Sequence, residues 1–222
     1  MTSDADFSPE LLARIGGCGA MAVVMIDNSD DAVPLAKALL ACHIDVMEVT
    51  FRTRAAAEAM KRIRDEVPGM LVGAGTILMA DQVHEAIAAG AAFGVAPGLS
   101  PAVVREARQN GFPFAPGVIT PSEMESAIEL GCRQLKVFPI EPIGGIKYLR
   151  TMAMPYEHLG IRYFVSGGIN PENMTAYLYH NDIIAVGGAW IAPQNFIRHQ
   201  NWSAVIDNAI EAAAIVKEMK VK

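Results

Sequence analysis

The sequence has few of the features that mark disulfide-bonded, membrane-spanning or nucleic-acid-binding proteins. It contains three cysteines in 222 residues, well separated and without a C-x-x-C pair. An odd number of isolated cysteines is typical of a reducing compartment and argues against a disulfide framework. No uncharged apolar run reaches the roughly 18 residues that a transmembrane helix requires. The formal net charge of -6 argues against nucleic acid as a partner.

The amino-terminal segment also lacks the basic residues of a secretory signal peptide. It reads Met-Thr-Ser-Asp-Ala-Asp, with acidic side chains where positive charge is required. We therefore expect a soluble, cytoplasmic protein with no membrane partner. The five histidines show no metal-ligand spacing, and no G-x-G-x-x-G motif follows the first predicted strand. The sequence predicts neither a metal site nor another cofactor.

Eight short β-prone runs recur at a fairly even spacing along the chain, most of them apolar on both faces. Such runs are typical of buried parallel strands. Strands are predicted at about 21–26, 45–50, 70–74, 92–95, 113–115, 134–138, 161–165 and 183–186.

Helical patterns lie between these runs. Several are bounded by capping residues, as at Ser100-Pro101 and Thr120-Pro121. Helices are predicted from Asp30-Asp31, over 54–67, 80–90, 100–111 and 120–131, from Pro171-Glu172, and over 203–222. Alternating strands and helices predict an α/β fold, which we interpret as a single-domain (β/α)8 TIM barrel over residues 1–222. An extra helix at about 1–17, beginning near Ser8-Pro9-Glu10, is expected to close its bottom. The rival is a doubly wound open sheet.

Two charged residues interrupt otherwise apolar predicted strands. Glu48 lies in Val-Met-Glu-Val-Thr, and Lys136 lies in Leu-Lys-Val-Phe. A single charge in a strand is most simply explained by an outward-facing side chain or a structural ion pair. Two opposite charges in two core strands of one barrel favour a functional interpretation, because barrel enzymes carry their chemistry at the carboxyl ends of the strands.

A buried lysine suits nucleophilic attack on a ketone. Only about one free lysine in 2,500 is neutral at pH 7, and desolvation favours the neutral amine. Lys136 is therefore a candidate Schiff-base former. Glu48 is the candidate proton carrier, because a carboxylate in a partly apolar pocket is suited to acid–base work near neutral pH.

Two further residues are candidates for binding the substrate. Arg52 keeps the inward parity of Glu48 through Thr50 and could clamp a carboxylate with two hydrogen bonds. A surface arginine beyond the strand is an equally good interpretation. Thr76 ends the Gly73–Gly75 turn, where the backbone can approach a ligand closely. It could also be the N-cap of the next helix.

Paired glycines follow the last two predicted strands. The first pair is Gly167-Gly168, preceded by Ser166, and the second is Gly187-Gly188. The corresponding loops of this fold commonly bind phosphate, and paired glycines expose consecutive backbone N–H groups. The sequence therefore predicts a phosphate pocket here, with Trp190 close by.

These motifs together resemble one family. The chain resembles the 2-dehydro-3-deoxy-phosphogluconate aldolase / 4-hydroxy-2-oxoglutarate aldolase family from about Ala20 to Trp190. The matching segments are Ala32–Leu39, Glu48–Thr53, Val72–Thr76, Pro97-Gly98, Pro116-Gly117, Lys136–Pro139 and Ser166–Ile169.

The resemblance implies a class I aldolase that acts on a 2-keto acid and is commonly a homotrimer. It implies that Lys136 forms the Schiff base and that Glu48 is the acid–base residue. By the same resemblance, Arg52 and Thr76 contact the pyruvate carboxylate, while Pro97 and Phe138 form walls beside the pyruvate. The phosphate end is implied to comprise Ser166, Gly167, Gly168, Gly187 and Gly188.

The chain departs from some members of this family at Ser166, where they have threonine, and at Ala189, where they have serine. Loss of the hydroxyl at 189 puts the strength of phosphate binding in question. The resemblance also leaves the galactonate epimer open as a substrate. A phosphate-binding barrel isomerase or epimerase, and a non-catalytic sugar-acid-binding protein, stay open as alternatives.

Overall fold

Eight parallel strands form one sheet in the computed structural model, which describes residues 6–220. The strands coincide with the predicted runs to within two residues at their ends. They are β1 (Ala20–Val24), β2 (Val46–Thr50), β3 (Leu71–Gly75), β4 (Phe93–Val95), β5 (Phe114–Ala115), β6 (Gln134–Val137), β7 (Arg162–Ser166) and β8 (Ile183–Gly188).

The sheet closes on itself. Its order is β5-β4-β3-β2-β1-β8-β7-β6, so β5 and β6 are the two edges. These edges are joined just beyond β5 by a parallel bridge between Gly117 and Lys136. The Lys136 N–H donates to the Pro116 carbonyl, and the Val118 N–H donates to the Lys136 carbonyl, both at 2.8 Å. The (β/α)8 barrel is therefore confirmed, and the open doubly wound sheet is excluded.

Helices connect successive strands and cover the outside of the barrel. They are α1 (Pro9–Cys18), α2 (Ala32–Ala41), α3 (Ala56–Glu66), α4 (Ala80–Ala89), α5 (Pro101–Gln109), α6 (Pro121–Glu129), α7 (Gly145–Ala153), α8 (Met174–Leu178), α9 (Gln194–Arg198) and α10 (Trp202–Lys220). Short 3-10 helices occur at Ser29–Asp31, Glu141–Ile143 and Met154–Leu159. No described helix is both long and apolar enough to cross a bilayer.

The amino-terminal helix begins at the predicted Ser8-Pro9-Glu10 motif. It starts at Pro9, where the Ser8 hydroxyl accepts the Leu11 N–H at 3.2 Å, while residues 1–5 of the predicted helix lie outside the described residues. A side chain before the helix fills the barrel end. The Phe7 ring lies 5.9 Å from that of Phe93 and 5.5 Å from that of Phe164. The single-domain assignment over residues 1–222 stays a prediction.

The predicted helix at Pro171-Glu172 was placed too early. The Asn170 side chain accepts the N–H groups of Glu172 and Asn173, which holds this stretch as a turn. Helix α8 therefore begins only at Met174 and lasts five residues. The start predicted at Thr120 is correct, because Thr120 and Glu123 form a reciprocal capping box.

Candidate active site

A cavity of about 590 Å³ opens at the carboxyl ends of the strands. This is the end of a (β/α)8 barrel at which catalytic side chains collect. The cavity is large enough for a drug-sized ligand. Its lining comprises Val23, Glu48, Thr50, Arg52, Thr76, Pro97, Lys136, Phe138, Ser166, Gly167, Gly168, Ile169, Gly187, Ala189 and Trp190.

The two charged residues predicted from the strand pattern meet in this cavity. Lys136 Nζ donates to Glu48 Oε1 at 2.9 Å and to Oε2 at 3.0 Å. The side chains are only 7% and 1% exposed, respectively. The outward-facing interpretation of these residues is therefore wrong. Burial of an ion pair is costly unless its geometry is good, and here both carboxylate oxygens receive hydrogen bonds.

Arg52 and Thr76 both lie on the cavity wall. Arg52 lines the cavity and is exposed, and no described carboxylate forms an ion pair with its guanidinium. Thr76 lines the cavity in a left-handed conformation, with φ of 59°. It is not the N-cap of α4, because that position belongs to Met79. Thr50, two residues from Glu48, donates its hydroxyl to the Val24 carbonyl at 2.9 Å.

Two apolar residues form the walls beside Lys136. Phe138 immediately follows β6 and is 37% exposed, with its ring centroid 5.8 Å from Lys136 Nζ. Pro97 follows β4 and lines the same cavity. Both positions agree with the pocket walls expected from the family resemblance. A ketone bound at Lys136 would thus lie against apolar side chains.

Ser166 is the last residue of β7, whereas the sequence had placed it after the strand. Ser166 is only 6% exposed. Among the described residues, its Oγ is the only buried side-chain polar atom without a hydrogen-bond partner. Buried polar groups are rarely left unpaired. This hydroxyl is therefore available to a bound ligand.

The loop after β7 presents donors to the cavity. Gly167 and Gly168 have φ of 96° and 88°, a region that residues with side chains rarely adopt. No described carbonyl or side chain accepts the N–H groups of Gly167, Gly168 or Ile169. Consecutive free N–H groups of this kind form an anion-binding concavity. We call residues 167–169 the anion loop.

The second glycine pair does not form a loop, contrary to the sequence prediction. Gly187 and Gly188 are the last residues of β8, paired with Met21 and Ala22 of β1. Extended backbone continues through both glycines because β1 pairs with each of them, and β7 also pairs with Gly187 through Ser166. Gly187 lines the cavity, but Gly188 does not. A β-carbon on Gly188 would lie 2.6 Å from Trp190 Nε1, so this glycine leaves room for the indole.

The cavity contains residues that received no site assignment from the sequence. Val23 and Ile169 were missed, although the inward parity of Val23 in β1 could have indicated it. Val23 pairs with Glu48 in the β1–β2 register and so faces the same side. Ala189 and Trp190 also line the cavity.

Comparison with known families agrees with this geometry. The model of the family described as KDPG and KHG aldolase matches residues 13–208, most of the chain. The chain belongs to the KDPG and KHG aldolase family. The matched range contains every cavity residue, from Val23 to Trp190. The resemblance inferred from the sequence motifs is thereby confirmed.

Individual members of this aldolase family are similar over nearly their whole length. A 2-dehydro-3-deoxy-phosphogluconate aldolase of Treponema pallidum is 41% identical over 197 residues, covering 89% of this chain and 93% of that protein. The crystal structure of 2-keto-3-deoxy-6-phospho-gluconate aldolase from Zymomonas mobilis superposes with a TM-score of 0.85 at 36% identity. It covers 95% of this chain and 97% of that chain.

A third relative has been described with a covalent intermediate. The KDPG aldolase of Legionella pneumophila was captured with pyruvate as a carbinolamine at low pH. Its structure superposes with a TM-score of 0.85 at 33% identity, over 90% of this chain and 97% of that chain.

Proposed function

We propose that this protein is a class I aldolase that reversibly cleaves 2-dehydro-3-deoxy-6-phospho-D-gluconate to pyruvate and D-glyceraldehyde 3-phosphate. The observation that carries the proposal is the buried Lys136 Nζ, hydrogen-bonded to both carboxylate oxygens of Glu48 inside the cavity. Membership of the aldolase family supports it. No cofactor is required, because the lysine itself supplies the electron sink.

The first half of the proposed reaction forms the Schiff base. Glu48 takes a proton from the Lys136 ammonium along their 2.9 Å hydrogen bond, which leaves a neutral amine. The amine attacks C2 of the substrate to give a carbinolamine. Protonation of the C2 hydroxyl, by Glu48 directly or through water, expels water and gives the iminium.

The second half breaks the carbon–carbon bond. Glu48, a carboxylate again after the loss of water, removes the proton of the C4 hydroxyl directly or through water. The C3–C4 bond breaks, and its electron pair moves to the iminium to form an enamine. Glyceraldehyde 3-phosphate leaves as the aldehyde. The enamine carbon is then protonated, and hydrolysis of the resulting iminium releases pyruvate and regenerates Lys136.

The two ends of the substrate are assigned to opposite sides of Lys136. The unpaired Arg52 guanidinium and Thr76 bind the pyruvate carboxylate, and a planar guanidinium suits a carboxylate. Pro97 and Phe138 enclose the pyruvate methylene. The phosphate is assigned to the anion loop, Gly187 and the unpartnered hydroxyl of Ser166. Gly188 contributes indirectly, by admitting Trp190.

A second substrate is proposed from the family description, which names KHG alongside KDPG. Cleavage of 4-hydroxy-2-oxoglutarate to pyruvate and glyoxylate needs the same lysine and carboxylate but no phosphate site. We propose it as a lesser activity that uses Lys136, Glu48 and Arg52 without the anion loop.

Assembly and location are also proposed. A homotrimer is supported by the family resemblance and is tested by light scattering after gel filtration. A cytoplasmic location is supported by three buried cysteines, none of which forms a disulfide.

The proposed activity is tested by steady-state release of pyruvate from the phosphorylated gluconate. The wild-type protein should release pyruvate in step with glyceraldehyde 3-phosphate, whereas a Lys136→Met protein should release none above background. Lys147→Met is the matched control, because Lys147 is an exposed lysine on α7. An isomerase or epimerase would consume the substrate without producing pyruvate, and a binding protein would not consume it.

A further inference from the structure

The anion loop is anchored to the segment that follows β6 by backbone hydrogen bonds. The Ile140 N–H donates to the Ser166 carbonyl, and the Glu141 N–H donates to the Gly167 carbonyl, both at 3.0 Å. These bonds continue the β6–β7 pairing beyond the ends of both strands. They fix the carbonyl sides of the Ser166 and Gly167 peptides while the loop N–H groups stay free.

A side-chain contact buttresses the same loop from behind. A β-carbon on Gly168 would lie 2.6 Å from Glu141 Cβ, so the loop backbone lies directly against the glutamate side chain. The Tyr177 hydroxyl, on α8, donates to Glu141 Oε1. Tyr177 is 1% exposed, and its burial together with this hydrogen bond raises its pKa above the ordinary value.

The Gly168 carbonyl is held by Asn173, the residue just before α8. Asn173 Nδ2 donates to the Gly168 carbonyl at 3.0 Å, and its Oδ1 accepts the Asn170 N–H at 2.9 Å. The carbonyls of Gly167 and Gly168 are therefore both bound to the scaffold. The N–H groups of the loop are left for a ligand.

Glu141 and Tyr177 do not line the cavity. Glu141 nevertheless brings a carboxylate close to a loop whose free donors suit an anion. Its hydrogen bond to Tyr177 directs Oε1 towards α8. The same oxygen lies close to α7, because a β-carbon on Gly145 would be 3.1 Å from it. Without the tyrosine hydroxyl the carboxylate would be free to turn, and the glutamate side chain packed against Gly168 would be held less firmly.

We propose that the Tyr177–Glu141 hydrogen bond is a positioning element that sets the anion loop for a phosphate monoester. Glu141 and Tyr177 are positioning residues, since neither touches the substrate. The inference rests on the proposed function, because it takes the phosphate of the substrate as the ligand of the loop. The preference for phosphorylated over unphosphorylated 2-keto acids then depends on a hydrogen bond outside the cavity.

Two single variants remove the same hydrogen bond from opposite sides. Tyr177→Phe keeps the buried ring, and Glu141→Ala keeps the β-carbon against Gly168. Each should raise the KM for the phosphorylated gluconate and the inhibition constant of inorganic phosphate by about five- to tenfold. The double variant should be no worse than either single variant, because the residues act as one unit.

The conservative variant separates hydrogen bonding from charge. Glu141→Gln retains an oxygen that accepts from Tyr177, so it should keep the KM for the phosphorylated substrate within about twofold of wild type. Tyr156→Phe is the matched control, because it also removes a tyrosine–glutamate hydrogen bond, to Glu125 at an exposed site. It should leave every parameter unchanged.

Cleavage of 4-hydroxy-2-oxoglutarate and borohydride trapping of pyruvate monitor folding and the lysine in all variants. Both should stay within about twofold of wild type, since neither uses the anion loop. The inference would be overturned if Tyr177→Phe and Glu141→Ala lost activity towards both substrates in equal proportion. It would also be overturned if both variants kept the wild-type KM for the phosphorylated substrate and the wild-type inhibition by phosphate. Failure of the wild-type protein to release pyruvate would instead overturn the proposed function, so the two failures are distinct.

Discussion

The side chain of Glu48 occupies the space beside Gly75 that a β-carbon would fill. A β-carbon at position 75 would lie 2.1 Å from Glu48 Oε1 and 2.6 Å from its Cγ and Cδ. The two residues are on adjacent strands, where Thr50 pairs with Gly75. The carboxylate reaches Lys136 because the neighbouring strand carries no side chain there.

Gly75→Ala should therefore displace Glu48 from Lys136. A methyl group cannot coexist with the carboxylate at these distances, so the Glu48 side chain must move and its proton transfer is impaired. We expect kcat for cleavage to fall by about 10²- to 10⁴-fold, the usual contribution of a positioned acid or base. Steady-state pyruvate release measures the loss.

Gly98→Ala is the control for that substitution. Its β-carbon would meet no other atom within 4 Å, and its φ is not positive. We expect kcat within about twofold of wild type, because no described side chain must move. Full activity in Gly75→Ala would contradict the role assigned to Glu48.

Removal of only one partner of the Lys136–Glu48 ion pair should lower the free energy of unfolding. Lys136→Met leaves the Glu48 carboxylate buried without its cation, and loss of one partner of a buried pair costs about 3–5 kcal/mol. Adding Glu48→Gln removes the stranded charge, so the double variant should recover part of the free energy of unfolding. Urea unfolding at pH 7 measures both. A double variant less stable than Lys136→Met would show that the pair is retained for folding rather than for chemistry.

The buried thiols should resist alkylation at mildly alkaline pH. Burial raises the pKa of Cys18 to about 12 and that of Cys132 to about 11, with 7% and 5% of these residues exposed. At pH 9, iodoacetamide followed by mass spectrometry should label neither in the folded protein and all three cysteines in urea.

The same shifts set the direction of a stability change. The folded-state pKa values lie above the unfolded value of about 8.5, so the thiols reduce stability only above that pH. The free energy of unfolding should be unaffected by them below pH 8 and should fall progressively between pH 9 and 12, as the unfolded chain loses protons that the folded chain keeps. Rapid labelling of Cys132 under native conditions at pH 9 would contradict its burial.

Ala189→Ser should strengthen phosphate binding. Ala189 is exposed and lines the cavity beside Gly187. A hydroxyl there adds a donor for the phosphate, worth about 0.5–1.5 kcal/mol, or roughly a two- to tenfold lower KM for the phosphorylated substrate. The KM for 4-hydroxy-2-oxoglutarate should not change. Ala189→Val adds bulk without a donor, and an equal improvement in that variant would argue against hydrogen bonding.

The sequence was sufficient to predict the barrel and the meeting of Glu48 with Lys136. The periodicity of the apolar runs predicts the alternation of strands and helices. Glu48 and Lys136 can be recognised because they are charged residues in apolar strands. It was also sufficient to place Arg52 and Thr76 on the cavity. The ends of strands were less predictable: glycines at 187 and 188 are typical of loops, but here the backbone stays extended because β1 pairs with both.

Contacts between distant segments could not be predicted at all. The space beside Gly75, the bond between Tyr177 and Glu141, and the unpartnered hydroxyl of Ser166 each depend on how separate strands and loops pack. The spacing of residues along the chain does not predict such contacts. Phe7 is a similar case, because a ring that precedes the predicted helix fills the barrel end.

The proposed chemistry depends on a covalent imine between Lys136 and the keto acid. Borohydride reduction in the presence of pyruvate, followed by peptide mass spectrometry, tests it most directly. We expect a reduced pyruvyl adduct on the peptide that contains Lys136, and none on peptides that contain the exposed Lys147. Active protein that yields no adduct at Lys136, or an adduct at another lysine, would contradict it.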